Sequence, residues 1–227
     1  REEEAFPRSV RVLAALIETL LPPLDSAAPV LIAGLGSRSI TPDAVGPRSA
    51  DHVIATRHLI SRSPEFFASW RPVSVLAPGV LGQTGVETGE IVRGVLDHVR
   101  PRAVIAIDAL AAGRLSRLVR TVQLADTGIV PGSGVNNARA ALDRQTLGVP
   151  VLSIGVPTVA DGGSLAHEIA QQLDGAQCEA LDDLSQPFII TTRDIDREVA
   201  DTARLIGYAV NMALQHISVE EIDLYLS

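Results

Sequence analysis

Four short, mostly apolar runs constrain this chain most: residues 30–35, Val73 to Leu76, Ala103 to Ile107, and Pro150 to Val156. The first has no polar alternation, as expected for a strand covered on both faces. Helical spacing fills much of the sequence around them. Val10, Leu13, Ala14, Ile17, Leu20 and Leu21 form an amphipathic stripe that Pro22-Pro23 stops. Pro47 suits the first turn of a helix, whose buried stripe would be Ala50, Val53, Ile54 and Leu59. Ile91, Val92, Val95, Leu96 and Val99 mark another helix, Asp161 to Leu173 a further one, and Asp194 to Gln215 the last. Val119 to Leu124 reads as an edge or antiparallel strand, and 126–137 as a long turn-rich loop. Strands alternating with helices imply a mostly parallel, right-handed sheet with helices on both faces.

Composition agrees. A chain of 227 residues with 46% hydrophobic but only 3% aromatic content has an aliphatic interior, which suits an α/β protein. One α/β domain is expected over residues 1–227, with polar 174–187 as a linker or excised loop. No apolar run approaches the roughly 18 residues of a membrane span, so no membrane partner is expected. The net charge of −8, with Arg carrying all the positive charge, argues against direct nucleic-acid binding. The single cysteine, Cys178, excludes an internal disulfide framework and fits a reducing compartment. The chain begins at Arg1 rather than Met, which suggests that sequence precedes it.

In parallel α/β sheets, chemistry sits beyond the carboxyl ends of the strands. Asp43, the Gly-rich 79–88 loop with Thr84 and Glu87, Asp108 and Thr158 each follow a predicted strand and so share one rim. Two carboxyls at one rim can divide labour, one protonated as acid and one ionised as base, and activate a water against an amide. The alternative is that Asp43 and Asp108 cap the helices that follow them, since Asp is a favoured cap.

Other motifs are weaker. Asp126-Thr127-Gly128 matches the aspartic protease triplet but occurs once, in an α/β context foreign to those all-β enzymes. Gly34-Leu35-Gly36 lacks the third glycine of a dinucleotide fingerprint. Pro131-Gly132-Ser133-Gly134 has the make-up of an anion cradle but not the frame of a serine nucleophile elbow. Together the last two motifs support a competing reading, a nucleotide- or small-molecule-binding module. The five histidines show no paired metal spacing. His52 and His98 read as surface residues, and His58 stands out only in Thr56-Arg57-His58-Leu59.

Taken in order, several blocks resemble the germination protease of spore-forming bacteria. They include Gly34-Leu35-Gly36, Thr41-Pro42-Asp43-Ala44, Thr56-Arg57-His58-Leu59, Thr84-Gly85-Val86-Glu87-Thr88, Ile107-Asp108-Ala109-Leu110, Asp126-Thr127-Gly128-Ile129, Pro131-Gly132-Ser133-Gly134-Val135 and Gly155-Val156-Pro157-Thr158. The resemblance spans roughly 30–160 and fades at both ends. It implies a three-layer, phosphorylase/hydrolase-like α/β fold and an endopeptidase that degrades small acid-soluble spore proteins at germination. It further implies a zymogen made in the developing spore, activated by loss of a propeptide, acting in the spore core as a homotetramer without a cofactor. Asp43 and Asp108 match the acids proposed as catalytic in that family. Thr41, Thr84, Glu87, His58 and Ser133 fall in its motifs as substrate-binding or supporting candidates. Two positions depart from the family: Val130 stands where it usually has His, and Asn136 where it has Gly. The related hydrogenase-maturation endopeptidases imply a second reading, a metal-dependent cut, but no residue here matches their metal-contacting histidine.

Overall fold

The computed structural model describes residues 4–132, 139–163, 165 and 188–227. The first helix, α1 (Ala5–Leu20), buries Val10, Leu13, Ala14 and Ile17, the stripe its spacing predicts. It leads to β1 (Val30–Gly34), buried at every position. Three short helices follow, α2 (Val45–Asp51), α3 (Arg57–Arg62) and α4 (Pro64–Phe67), before β2 (Val73–Leu76). Next come α5 (Leu81–Thr84), α6 (Thr88–Val99), β3 (Ala103–Ala111) and β4 (Gln123–Ala125). The remainder is α7 (Arg144–Leu147), β5 (Val151–Asp161), β6 (Ile189–Ile190), α8 (Ile195–Gln215) and α9 (Val219–Leu226).

The sheet has the order β2-β1-β3-β5-β4. Strands β2, β1, β3 and β5 are parallel neighbours, while β4 and β6 each pair antiparallel with β5. The apolar runs explain this arrangement residue by residue. Val30, Ile32, Ile105, Ile107, Leu152 and Ile154 face one layer, packed with the stripes of α1 and α8. Leu31, Ala33, Val104, Ala106 and Val151 face the other, packed with Val92 and Leu96 of α6. Both faces of the central strands are dry, so their sequences show no alternation. The result is three layers, helix on sheet on helix.

Several expectations are refined. Asp108 and Thr158 do not follow their strands. They lie inside β3 and β5, which run on to Ala111 and Asp161. The stripe expected after Pro47 is split, because α2 ends at Asp51 and Leu59 sits on the separate α3. Within the 79–88 loop a single turn, α5, has formed. The antiparallel strand near Val119–Leu124 is present as the shorter β4. Helix α9 was not anticipated, although Ser218 and Glu221 form its capping box and Val219 and Ile222 are buried. His52 is half-buried against Tyr208 rather than simply on the surface. Of the helix expected at Asp161 to Leu173, Asp161 instead ends β5, 162, 163 and 165 are helical, and the rest lies outside the described residues, as does the whole of the 174–187 linker.

Chain order reverses direction about β1, with β2 on one side and β3 on the other. That makes the gap between the carboxyl ends of β1 and β3 a topological switch point, where such sheets open a crevice. Glycines close α2 onto it. A Cβ on Gly46 would lie 2.2 Å from the Leu35 carbonyl oxygen and 2.4 Å from that of Ile107, and one on Gly34 would lie 2.3 Å from the Gly46 carbonyl oxygen. Backbone therefore packs on backbone with no room for a methyl. Gly46→Ala is expected to lower unfolding stability by about 3 kcal/mol or more in denaturant melts, the upper range for overpacking. Gly94→Ala, at an exposed α6 position with open space around it, is expected to stabilise by about 0.5–1 kcal/mol.

Candidate active site

Asp43 reaches the crevice on a tight detour after β1. The chain leaves Leu35, whose N–H bonds the Ile107 carbonyl at 2.7 Å, and turns at Gly36, where φ is +105°. Only glycine fits there, since a Cβ would lie 2.1 Å from the Asp43 carbonyl oxygen. A 3-10 turn, Thr41–Asp43, then presents the carboxylate. The Ser37 N–H donates to Asp43 Oδ2 at 2.7 Å, fixing the carboxylate across the loop. Gln83 of α5 braces the same loop, its Nε2 donating to Ser37 Oγ at 3.0 Å and Ser39 Oγ at 3.1 Å.

Asp108 arrives from the neighbouring strand, paired in register with Gly155 of β5. It is only 5% exposed, and the N–H of Ala109 donates to its Oδ1 at 2.9 Å. Neither acid caps a helix. Asp108 lies within a strand, and the residue at the start of α2 is Ala44, with no side-chain cap. The capping alternative therefore falls away.

Both acids line a pocket of about 620 Å³. Its walls are largely aliphatic, including Leu35, Val80, Leu110 and Ile189, with Glu87, Arg139 and Thr158 among its few polar side chains. Burial raises the Asp43 carboxyl above the usual range, and the Ser37 hydrogen bond partly offsets this. Burial pushes Asp108 further, to about 7, helped by the charge of Asp43 and opposed by the Ala109 N–H. The two titrate as a coupled pair in which Asp43 ionises first. As pH rises toward about 7, Asp108 is the carboxyl that keeps its proton longer.

The remaining candidates separate. Glu87 lines the pocket and pairs with Arg139 at 3.0 Å. Thr41 does not line it but donates to Asp196 of α8 at 2.8 Å, tying the Asp43 turn to the helical layer. Thr84 holds the 80–86 turn through bonds to the carbonyls of Val80 and Val86 and the N–H of Val86. His58 is exposed on α3, away from the pocket lining. Ser133 and Asn136 lie outside the described residues, whereas Val130 is part of the lining. Sequence reasoning missed Ser37, Gln83 and Arg139. A loop serine and a glutamine on a single helical turn carry no signal until the fold brings them together. Among the described residues no group of three or more His, Cys, Asp or Glu is placed to hold a metal ion, and no helix is long and apolar enough to cross a membrane.

A mostly parallel α/β sheet with a buried and a half-buried carboxyl, both raised in pKa, in an aliphatic crevice defines a candidate hydrolase site. The comparisons with known proteins give the family. The model for the germination protease family matches residues 4–174. A germination protease from Caldanaerobacter subterraneus subsp. tengcongensis is 40% identical over 242 aligned residues, covering 95% of this chain and 74% of that protein. One from Clostridium acetobutylicum is 37% identical, covering 90% and 71%. One from Bacillus subtilis is 52% identical over 139 residues, covering 61% and 38%. A [NiFe] hydrogenase maturation protease from Thermococcus kodakarensis overlays with a TM-score of 0.46 at 16% identity, covering 86% of this chain and 98% of that one. The chain belongs to the germination protease family and is a spore-germination endopeptidase.

The raised pKa of Asp108 has a cost for folding. Between about pH 4 and 7 the folded state holds a proton that the unfolded state has released, so stability falls as pH rises through that window. The penalty is absent below the unfolded value and complete above about 7. A shift of that size corresponds to up to about 4 kcal/mol. Asp108→Asn is therefore expected to melt higher than the parent at pH 8, with the advantage shrinking toward pH 4 in a series of thermal melts.

Proposed function

We propose that Asp43 and Asp108 hydrolyse peptide bonds by activating a shared water, Asp43 as general base and Asp108 as general acid. The single observation behind this reading is the inequality of the pair: Asp43 ionises first, and its charge helps hold the proton on Asp108. Water attacks the scissile carbonyl carbon, giving one proton to Asp43, while Asp108 protonates the carbonyl oxygen. A neutral gem-diol results. Its collapse breaks the C–N bond, with Asp43 passing its proton to the leaving amine and a gem-diol hydroxyl restoring the proton on Asp108. One water is consumed, and both acids return to their starting states.

In this reading the substrates are small acid-soluble spore proteins, cut in the spore core by a homotetramer that arises from a zymogen. Family membership supports these points, which rest on the resemblance rather than on the site. The aliphatic pocket walls suit an extended chain presenting apolar side chains, and the Glu87–Arg139 pair places both signs of charge at the lining.

Asp43→Asn and Asp108→Asn are each expected to abolish cleavage of a purified small acid-soluble spore protein while the circular dichroism spectrum stays that of the parent. Wild-type kcat/KM should decline as pH rises past about 7, where Asp108 loses its proton, and also in acid, where Asp43 gains one. Saturating chelator should change nothing. Full activity in both variants would remove the acid pair from the mechanism, and loss of activity in chelator would favour the metal-dependent reading.

A further inference from the structure

Strand β3 outruns β1 on the side that opens into the pocket. Its ladder with β1 ends where Gly34 pairs with Ile107, whereas its ladder with β5 continues to Ala111. Beyond Ile107, one edge of β3 therefore has no neighbouring strand among the described residues. That edge runs from Asp108 to Ala111, and all four of its residues line the pocket with Asp43. Ala109, Leu110 and Ala111 each keep some exposure to solvent.

A strand turns the N–H and C=O of every second residue to the same side. In β3 the even-numbered residues face β5: the N–H of Val104 donates to the Pro150 carbonyl at 2.9 Å, and that of Ala112 to the Val159 carbonyl at 2.6 Å. The alternation survives the β-bulge at Thr158, the extra residue left when Leu110 pairs with Pro157 and Ala111 with Val159. Odd-numbered residues face the other way, as the Ile107 carbonyl does when it accepts from the Leu35 N–H at 2.7 Å. Ala109 and Ala111 therefore aim their backbone groups past the end of β1, into the crevice. The Ala109 N–H is met by Asp108 Oδ1 at 2.9 Å, which sets that carboxyl on the same edge. The Ala109 carbonyl and both backbone groups of Ala111 find no partner across this edge among the described residues. Strand edges are normally blunted by charge, proline or a covering element. The small side chains of Ala109 and Ala111 screen this one little.

We propose that this edge docks the substrate: an extended segment of the protein to be cut adds to β3 as a strand, continuing the line of β1, and so lies against Asp108 and Asp43. The inference rests on the peptidase reading of this pocket and adds how the chain is held there. An extended peptide offers the matching chemistry, because its N–H and C=O groups recur on one side every second residue. Main-chain pairing of this kind supplies affinity, while alternate side chains meet the pocket walls. In either strand direction, the carbonyls of Ala109 and Ala111 take peptide N–H groups two residues apart, and the Ala111 N–H takes a peptide carbonyl.

N-methylation removes one peptide N–H at a time and tests this on the parent enzyme. Synthetic peptides span a cut site mapped in a small acid-soluble spore protein, and each residue outside the scissile bond is methylated in turn. Two methyl groups placed two residues apart should each lower kcat/KM by about tenfold, the worth of one hydrogen bond, while one between them changes it by less than about threefold. Ala111→Pro removes the enzyme's own N–H, a change that strand edges tolerate. It should lower kcat/KM by a similar factor at an unchanged melting temperature. In Asp43→Asn enzyme, amide exchange at Ala111 should slow when the unmodified peptide is added. A flat or non-alternating methylation profile would overturn the proposal, as would parental kcat/KM in Ala111→Pro or an Ala111 amide equally protected with and without peptide. Asp108→Asn in the same assay separates the two claims: its activity sinks the acid-pair reading, while a flat methylation profile beside an inactive Asp108→Asn sinks only the docking mode.

Discussion

At the head of the sheet, backbone rests on backbone. Gly46 sits against the carbonyls of Leu35 and Ile107, and Gly34 against the carbonyl of Gly46, at distances a single methyl would violate. This contact draws α2 onto the switch point between β1 and β3. The Asp43 turn immediately precedes α2, so closing the helix also carries the carboxylate to the crevice. Gly36 then permits the reversal that lets Ser37 reach back to Asp43. Remove the close approach, and the acid loses its place before any chemistry is considered.

The second consequence is electrostatic. A sheet dry on both faces gives Asp108 a low-dielectric setting inside β3, and the same geometry sets another carboxylate within range of its charge. Burial alone would hold a proton on Asp108, and the neighbouring charge raises its hold further. The fold accepts lower stability near neutral pH in return for two acids in opposite protonation states. Among the described residues the hydroxyl of Thr158, like Ser49 Oγ and Arg71 Nε, is buried without a hydrogen-bond partner, a further cost to the fold.

Much of the architecture was legible in the residues. The apolar runs 30–35 and 103–107 give strands buried on both faces, the stripe of α1 packs as its spacing predicts, and α8 forms within the expected span Asp194 to Gln215. Asp43 and Asp108 were legible as residues of one rim, because strand–helix alternation fixes which strand ends coincide. Strand length was not. Apolar patterning stops at Ile107, but hydrogen bonding with β5 carries β3 on to Ala111, so Asp108 falls inside the ladder. The bulge at Thr158 was equally hidden, because register depends on two strands and a single sequence run shows only one. Gln83 and Ser37 were missed because their contacts exist only through the fold. His58 was singled out by its motif, and the fold leaves it on an exposed helix.

The central claim is that Asp108 stays protonated to about neutral pH because it is buried beside a charged Asp43. Carbon-13 NMR titration of the aspartate side-chain carboxyls tests it directly, with Asp108 assigned through Asp108→Asn and the titration repeated in Asp43→Asn. The account predicts a midpoint for Asp108 near 7 in the parent and a lower one once the Asp43 charge is removed. An Asp108 midpoint in the ordinary carboxylate range near 4, or one indifferent to Asp43, would contradict it.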